Sequence, residues 1–150
     1  MNLNKQIQGY VWIIIMALAS FLGPLVWASE SQPASFDLSS KELMKHQSDG
    51  VVIIVIRRKE EWLDTGILNG AKTITAFTKA GSLHPDFQMK LASVVPNSDT
   101  PFVLYCRSGR RSGILRDALE KNLGFTKAMH LSDGILGWKK EGKALVNYRP

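Results

Sequence analysis

Val51-Val52-Ile53-Ile54-Val55-Ile56 is an unbroken run of β-branched apolar residues, opened by the turn pair Asp49-Gly50. A strand of this composition has no face to give to water, so it reads as buried on both faces of a sheet. Its neighbours supply the cover. Ser39-x-x-Glu42 is a capping box, flanked by Leu38 and Leu43 as a hydrophobic staple, and predicts a short helix to about His46. Lys59 to Asp64 predicts another short helix, stopped by Gly66. Ala71 to Ile74 reads as a strand, Asp86 to Val94 as a helix, and Phe102 to Tyr105 as a second fully apolar strand. A helix-period stripe of Ile114, Leu115, Ala118, Leu119 and Leu123 follows, with Gly124 at its C-terminal stop. Ala128 to Leu131 is a last strand and Ile135 to Glu141 a last helix, stopped by Gly142. Strands alternating with helices imply right-handed crossovers. The expected fold class is therefore α/β, a central and mainly parallel sheet with helices on both faces.

The chain has 150 residues, enough for one ordinary domain. Its 19 basic and 13 acidic residues give a formal charge of +6, which favours anionic partners in general. Apart from Arg57-Arg58-Lys59 and the segment around Cys106, the basic residues are scattered, and no nucleic-acid partner is expected. The single cysteine excludes zinc-finger spacing and any intrachain disulfide. No metal and no cofactor are expected.

Lys5 is the only charge before Glu30, and an apolar run extends from Val11 to Leu22, followed by Gly23-Pro24 and Val26-Trp27-Ala28. Val26 and Ala28 fit the small-residue positions of a signal-peptidase site, so residues 1–28 read as a signal peptide cleaved after Ala28. The alternative is an uncleaved membrane anchor, since Val11 to Ala28 spans 18 residues, near the lower limit for a spanning helix. Either way the expected location is outside the cytoplasm, in a bacterial periplasm or anchored facing it. Residues 29–35 then form a polar linker.

The chemistry concentrates in Cys106-Arg107-Ser108-Gly109-Arg110-Arg111-Ser112, a tight turn between the strand ending at Tyr105 and the helix beginning before Ile114. In open α/β sheets, ligands bind beyond the carboxyl ends of the strands, and Cys106 lies one residue past such an end. Backbone N–H groups at a turn of this kind converge and stabilise anions. Arg107, Arg110 and Arg111 add positive charge. A thiolate is an anion, so the setting lowers the cysteine pKa and makes Cys106 a ready nucleophile.

This segment resembles the active-site loop of rhodanese domains, a cysteine followed by glycine three positions on and then Arg-Ser. The order of other segments agrees. Val52 to Arg57 with Glu60-Glu61-Trp62 is similar to the family's strand, arginine and acidic-aromatic segment. Gly66-Ile67-Leu68-Asn69-Gly70-Ala71 resembles its Gly-His-Ile-Pro-Gly-Ala segment, and Leu131-Ser132-Asp133-Gly134 with Trp138 its closing Gly-Gly-x-x-x-Trp segment. The resemblance covers residues 36–147. It implies sulfurtransferase chemistry: Cys106 takes a sulfane sulfur from an anionic donor such as thiosulfate and holds it as a persulfide. A thiol or cyanide then removes it. By the same resemblance, Arg107, Ser108, Gly109, Arg110, Arg111 and Ser112 bind the substrate.

Protein tyrosine phosphatases, the nearest rival, need arginine six positions after the cysteine; that position here is Ser112, and the arginines stand one, four and five positions on. A second alternative is a non-catalytic sensing or protein-binding module on the same fold. It draws on two departures from the family pattern: Val55 stands where Asp is usual and Ile67 where His is usual. If that Asp pairs with a loop arginine in the family, its loss leaves this loop more positive and less restrained. Asp133 also replaces the first glycine of the closing pair, which predicts an altered turn. Among the remaining residues, Arg57 is expected to cap or to pair with Glu60 or Glu61, and Arg111 to hold the loop in part through backbone carbonyls. His46, His84 and His130 show no ligand spacing and read as surface or satisfied groups, and Trp62 and Trp138 as core anchors.

Overall fold

The computed structural model describes residues 36–150; the signal-peptide or anchor segment and the linker lie outside them. The elements run β1 (Asp37–Leu38), α1 (Ser40–Ser48), β2 (Val52–Val55), α2 (Lys59–Thr65), β3 (Lys72–Thr73), α3 (Phe87–Val94), β4 (Phe102–Tyr105), α4 (Arg110–Leu123), β5 (Ala128–Leu131) and α5 (Gly134–Lys140). The strands form one five-stranded sheet in the order β1-β5-β4-β2-β3, and every pairing is parallel. This is the expected α/β architecture, reached by the expected alternation of elements.

The two apolar runs form the centre of the sheet. β2 and β4 lie side by side, with Val52 opposite Phe102 and Val55 opposite Tyr105. Because side chains alternate across a strand, each run feeds two cores. Ile54, Phe102 and Leu104 pack with Phe87 and Leu91 of α3 and Leu115 and Leu119 of α4. Ile53, Val55, Val103 and Tyr105 pack on the other face with Leu43 of α1, Trp62 of α2 and Trp138 of α5. Helices thus cover both faces, as a doubly buried strand requires.

Local signals account for most boundaries. The Ser39 backbone N–H donates to Glu42 Oε2 at 2.8 Å and the Glu42 N–H to Ser39 Oγ at 3.3 Å, closing the capping box. Leu38 and Leu43 are both buried beside it. Gly124 ends α4 in the left-handed conformation at φ +71°. β1 was not expected. It has two residues and no apolar run, and it exists because the neighbouring strand fixes it: the His130 N–H donates to the Phe36 carbonyl at 2.8 Å and the Ser132 N–H to the Leu38 carbonyl at 3.0 Å. Among the described residues no helix is long and apolar enough to cross a membrane.

Leu104 is fully buried at the centre of β4, whereas Leu63 on α2 is 58% exposed. Leu104→Ala is expected to cost about 2–5 kcal/mol of unfolding free energy. Leu63→Ala is expected to change it by less than about 0.5 kcal/mol. Denaturant titration of the two variants checks the assignment of the core.

Candidate active site

β4 delivers the cysteine. Its last residue, Tyr105, accepts a hydrogen bond from the Ile56 N–H at 3.0 Å, which fixes the strand end from which the loop departs. The loop then runs through Gly109 into the first turn of α4. Gly109 has φ +83°, and a Cβ there would collide with the Ser132 carbonyl, so both conformation and space demand glycine. Gly134, at φ +56°, presses the start of α5 against the loop: a Cβ would lie 2.6 Å from the Arg107 carbonyl carbon and 2.7 Å from the Cys106 oxygen. That close approach lets the Ile135 N–H donate to the Cys106 carbonyl and the Leu136 N–H to the Arg107 carbonyl, each at 3.0 Å. Asp133 takes an ordinary φ of −95°. The glycine missing at that position was therefore not needed for its conformation, and the turn keeps the one glycine it requires.

The Cys106 thiol is almost sealed, with 1% of the residue exposed. Burial pushes its pKa up. The Ser112 hydroxyl and the N–H groups of Ser112, Ser108 and Arg111 push it down, and together they prevail, so the thiol ionises below its ordinary range. Ser112 Oγ lies 3.5 Å from the sulfur and 2.9 Å from the Gly109 carbonyl oxygen. The loop expected from the sequence is thus a nest of donors around one sulfur atom.

The three arginines do not act alike. Arg107 and Arg110 are exposed. Arg111 is half-buried and makes a fork with Glu61: Nη1 donates to Oε2 at 3.1 Å and Nη2 to Oε1 at 2.8 Å. The hydrogen bond to Glu61 raises the Arg111 pKa, and the Cys106 charge acts in the same direction. Burial pushes Glu61 up, but Arg111 and the Arg58 N–H hold its carboxyl below the usual range. Arg111 does support the loop, through this carboxylate rather than through backbone carbonyls. Arg111 thus has a carboxylate partner although position 55 is Val.

Val55 and Ile67 instead belong to the apolar core around Trp62, Leu68 and Tyr105. Ile67 pairs through its backbone with Val146, its N–H donating to the Val146 carbonyl at 2.9 Å. Arg57 is buried, and it caps α2 without pairing with a carboxylate. Its Nη1 donates to the Glu61 carbonyl at 2.9 Å and to Thr65 Oγ1 at 2.6 Å, and its Nη2 to the Gly66 carbonyl at 2.5 Å. The Glu60 carboxylate goes to Arg58 Nε at 2.7 Å. Beside the loop, Arg58, Asp64, Arg107, Leu136 and Lys139 are among the residues lining a cleft of about 430 Å³. Trp62 and Trp138 are core residues, as expected.

Two contributors escaped the sequence reading. Glu61 appeared there in the acidic-aromatic segment and as a partner for Arg57, not for Arg111. His130, read as a surface or satisfied group, is buried and satisfied, but its partners include Ser112 of the loop, with Nδ1 3.4 Å from Ser112 Oγ. A polar residue on the alternating face of an otherwise apolar strand was the available signal.

A parallel α/β domain with a cysteine in an anion-holding turn beyond the central strand is the class that fold and site define. Within it, the chain belongs to the rhodanese-like domain family, whose model matches residues 39–141. The fold is similar to that of a thiosulfate sulfurtransferase from Pseudomonas aeruginosa, with TM-score 0.61, 21% identity, and coverage of 77% of this chain and 21% of that longer one. It is also similar to a human single-domain sulfurtransferase, with TM-score 0.55, 22% identity, and coverage of 72% and 98%. A polysulfide-sulfur transferase homodimer from Wolinella succinogenes gives TM-score 0.58 at 19% identity, over 76% and 80% of the two chains. In sequence, an uncharacterized protein of Rickettsia conorii is 27% identical over 100 residues, 62% of this chain and 80% of its own length.

Two outcomes follow from the site. Cys106 has a depressed pKa when folded, so between that value and the ordinary thiol pKa the unfolded chain holds a proton that the folded chain has lost. The stability of the wild type relative to Cys106→Ser should therefore grow as pH rises through this window, and fade as pH falls through the folded-state pKa. Equal pH dependence of the two proteins in denaturant titrations would contradict a held thiolate. Separately, Glu61→Gln should lower stability by about 1.5–3 kcal/mol, the range for hydrogen bonds to charged groups. Glu60→Gln, whose carboxylate is exposed, should leave stability nearly unchanged in the same titration.

Proposed function

We propose that this protein is a sulfurtransferase in which Cys106 carries a sulfane sulfur as a persulfide. The observation that supports it best is the match between the donor set and one sulfur: three loop N–H groups and the Ser112 hydroxyl converge on the thiol. In the first step the Cys106 thiolate attacks the outer sulfur of thiosulfate. Its electron pair forms the new S–S bond, while the old S–S bond breaks and its pair leaves with sulfite. The persulfide keeps one negative charge, so the nest that holds the thiolate also suits the product. In the second step a thiolate or cyanide attacks the outer sulfur and Cys106 leaves as a thiolate. One cysteine suffices, because the persulfide is a reversible state.

The proposed roles divide by exposure. Ser108, Gly109 and Ser112 shape and furnish the nest. Arg111, engaged by Glu61, scaffolds it and adds fixed positive charge. Arg107 and Arg110 stand in solvent at the mouth, where they attract an anionic donor by Coulomb force. Mass spectrometry after incubation with thiosulfate is expected to show a gain of one sulfur on Cys106, discharged by cyanide and absent in Cys106→Ser. No gain in a folded wild type would favour the non-catalytic module. Arg107→Ala should raise KM for thiosulfate more than for an uncharged sulfur donor, and added salt should act in the same sense. Equal effects on both donors would remove anion steering.

We also propose that the domain works outside the cytoplasm, on the apolar run and the Val26-Trp27-Ala28 site of the sequence. The mature protein is then expected to begin at Ser29. N-terminal sequencing of exported protein that starts at Met1 would instead support the anchor.

A further inference from the structure

His130 follows Ala128 by two residues on β5 and so faces the same core, towards α4. An ionisable ring in that position costs stability unless both nitrogens are bonded. Both are. Nε2 lies 2.7 Å from Asp37 Oδ1 on β1, and Nδ1 lies 3.4 Å from Ser112 Oγ on α4. The sequence also makes room for the ring. A Cβ at Gly113 would come within 3.1 Å of His130 Cε1 and 3.3 Å of Nε2. Gly113 has no positive φ to explain it, and glycine inside a helix costs about 1 kcal/mol relative to alanine. The ring's seat explains it.

Asp37, His130, Ser112 and Cys106 thus form one hydrogen-bonded row, from a carboxylate that is 74% exposed to a buried thiol. We propose that His130 is a positioning residue for the sulfur-transfer centre: its protonation decides whether the Ser112 hydroxyl turns its hydrogen towards Cys106 or away from it. This rests on Cys106 being the nucleophile.

A serine hydroxyl has one hydrogen and two lone pairs. A carboxylate only accepts, so Asp37 fixes a proton on Nε2, and the neutral ring is left with a bare Nδ1. A bare Nδ1, 3.4 Å away, joins the Gly109 carbonyl, 2.9 Å away, in competing with the sulfur for the Ser112 hydrogen. A protonated ring reverses the bond: Nδ1–H donates to Ser112 Oγ, and the hydroxyl hydrogen is released. The Gly109 carbonyl and the Cys106 sulfur then compete for it, and a thiolate, being charged, wins. The imidazolium and the thiolate therefore stabilise each other through Ser112, and their ionisations are coupled. The other groups near the ring do not replace this control. Arg116, one turn along α4, is taken by Asp117, Glu120 and the Ala128 carbonyl, and the β4 residue in register with His130 is Leu104.

The test needs no sulfur donor. The thiolate absorbance of the single cysteine is followed against pH in the wild type and in His130→Gln, with Cys106→Ser as the blank. The wild type is expected to ionise over a wider pH range than one site does. His130→Gln should follow a one-site curve with its midpoint about one pH unit higher. Superimposable curves would overturn the proposal. Because Gln can disturb the packing, the ring itself is read by nitrogen NMR in the unmutated protein and in Cys106→Ser. Neutral His130 should carry its proton on Nε2, and its titration should move between the two proteins, since linkage is reciprocal. An Nδ1–H tautomer, or an unmoved titration, would also overturn it. A protein that shows the coupling yet gains no sulfur from thiosulfate would keep this proposal and lose the sulfurtransferase one.

Discussion

A sulfur atom removed from water stays an anion only if protein dipoles replace the water it has lost. Every unusual feature around Cys106 answers to that requirement. The N–H groups of Ser108, Arg111 and Ser112 supply the dipoles, and they converge only because Gly109 turns the chain through a conformation open to glycine. The turn in turn depends on the Ser132 carbonyl lying against Gly109 and on Gly134 bringing the α5 backbone under the Cys106 and Arg107 carbonyls. With those carbonyls occupied by the N–H groups of Ile135 and Leu136, the loop's remaining donors are left to point inward.

Rigidity of this kind has to be anchored, and the anchors lie on both sides of the loop. The strand side is fixed by the parallel register of β2 and β4, two runs whose side chains are divided between the two cores. The helix side is fixed by Arg111, which reaches back to Glu61 on α2. α2 is itself closed by the buried Arg57, whose guanidinium takes the Glu61 and Gly66 carbonyls. One arginine therefore holds the helix that presents the carboxylate, and the other holds the loop to that carboxylate. Neither task calls for an acid at position 55, so a valine there is tolerated and contributes to the core instead.

The architecture was legible because its signals were local. Unbroken β-branched runs, a capping box and glycine stops each act within a few residues, and the strand-turn-helix order around Cys106 located the loop. β1 was not legible, since two residues without an apolar pattern become a strand only when β5 is already in place. The partner of Arg111 lay beyond reach for a similar reason. Glu61 is close to Arg57 in sequence, whereas Arg111 is 50 residues away. Nothing in the sequence says that α2 and α4 meet over the loop. His130 and Gly113 illustrate the same limit. Each looks like a minor irregularity in its own element, and only the contact between β5 and α4 shows that one fits the other.

The charge left over is what gives the site its direction. Glu61 is committed to Arg111, and Arg57 is buried in backbone contacts, so neither offers a free charge to an incoming molecule. Arg107 and Arg110 remain in solvent, Arg107 together with Lys139 and Arg58 along the adjoining cleft, although Arg58 is already paired with Glu60. Exposed charges that are mainly basic, with Asp64 an exposed acid among them, lie beside a nearly sealed sulfur and separate two tasks. Attraction acts at the mouth, where it fades with salt, while the anion itself is held below by dipoles that salt does not reach. Under the proposed sulfurtransferase function, these two tasks favour a donor that is small, anionic and able to present a terminal sulfur.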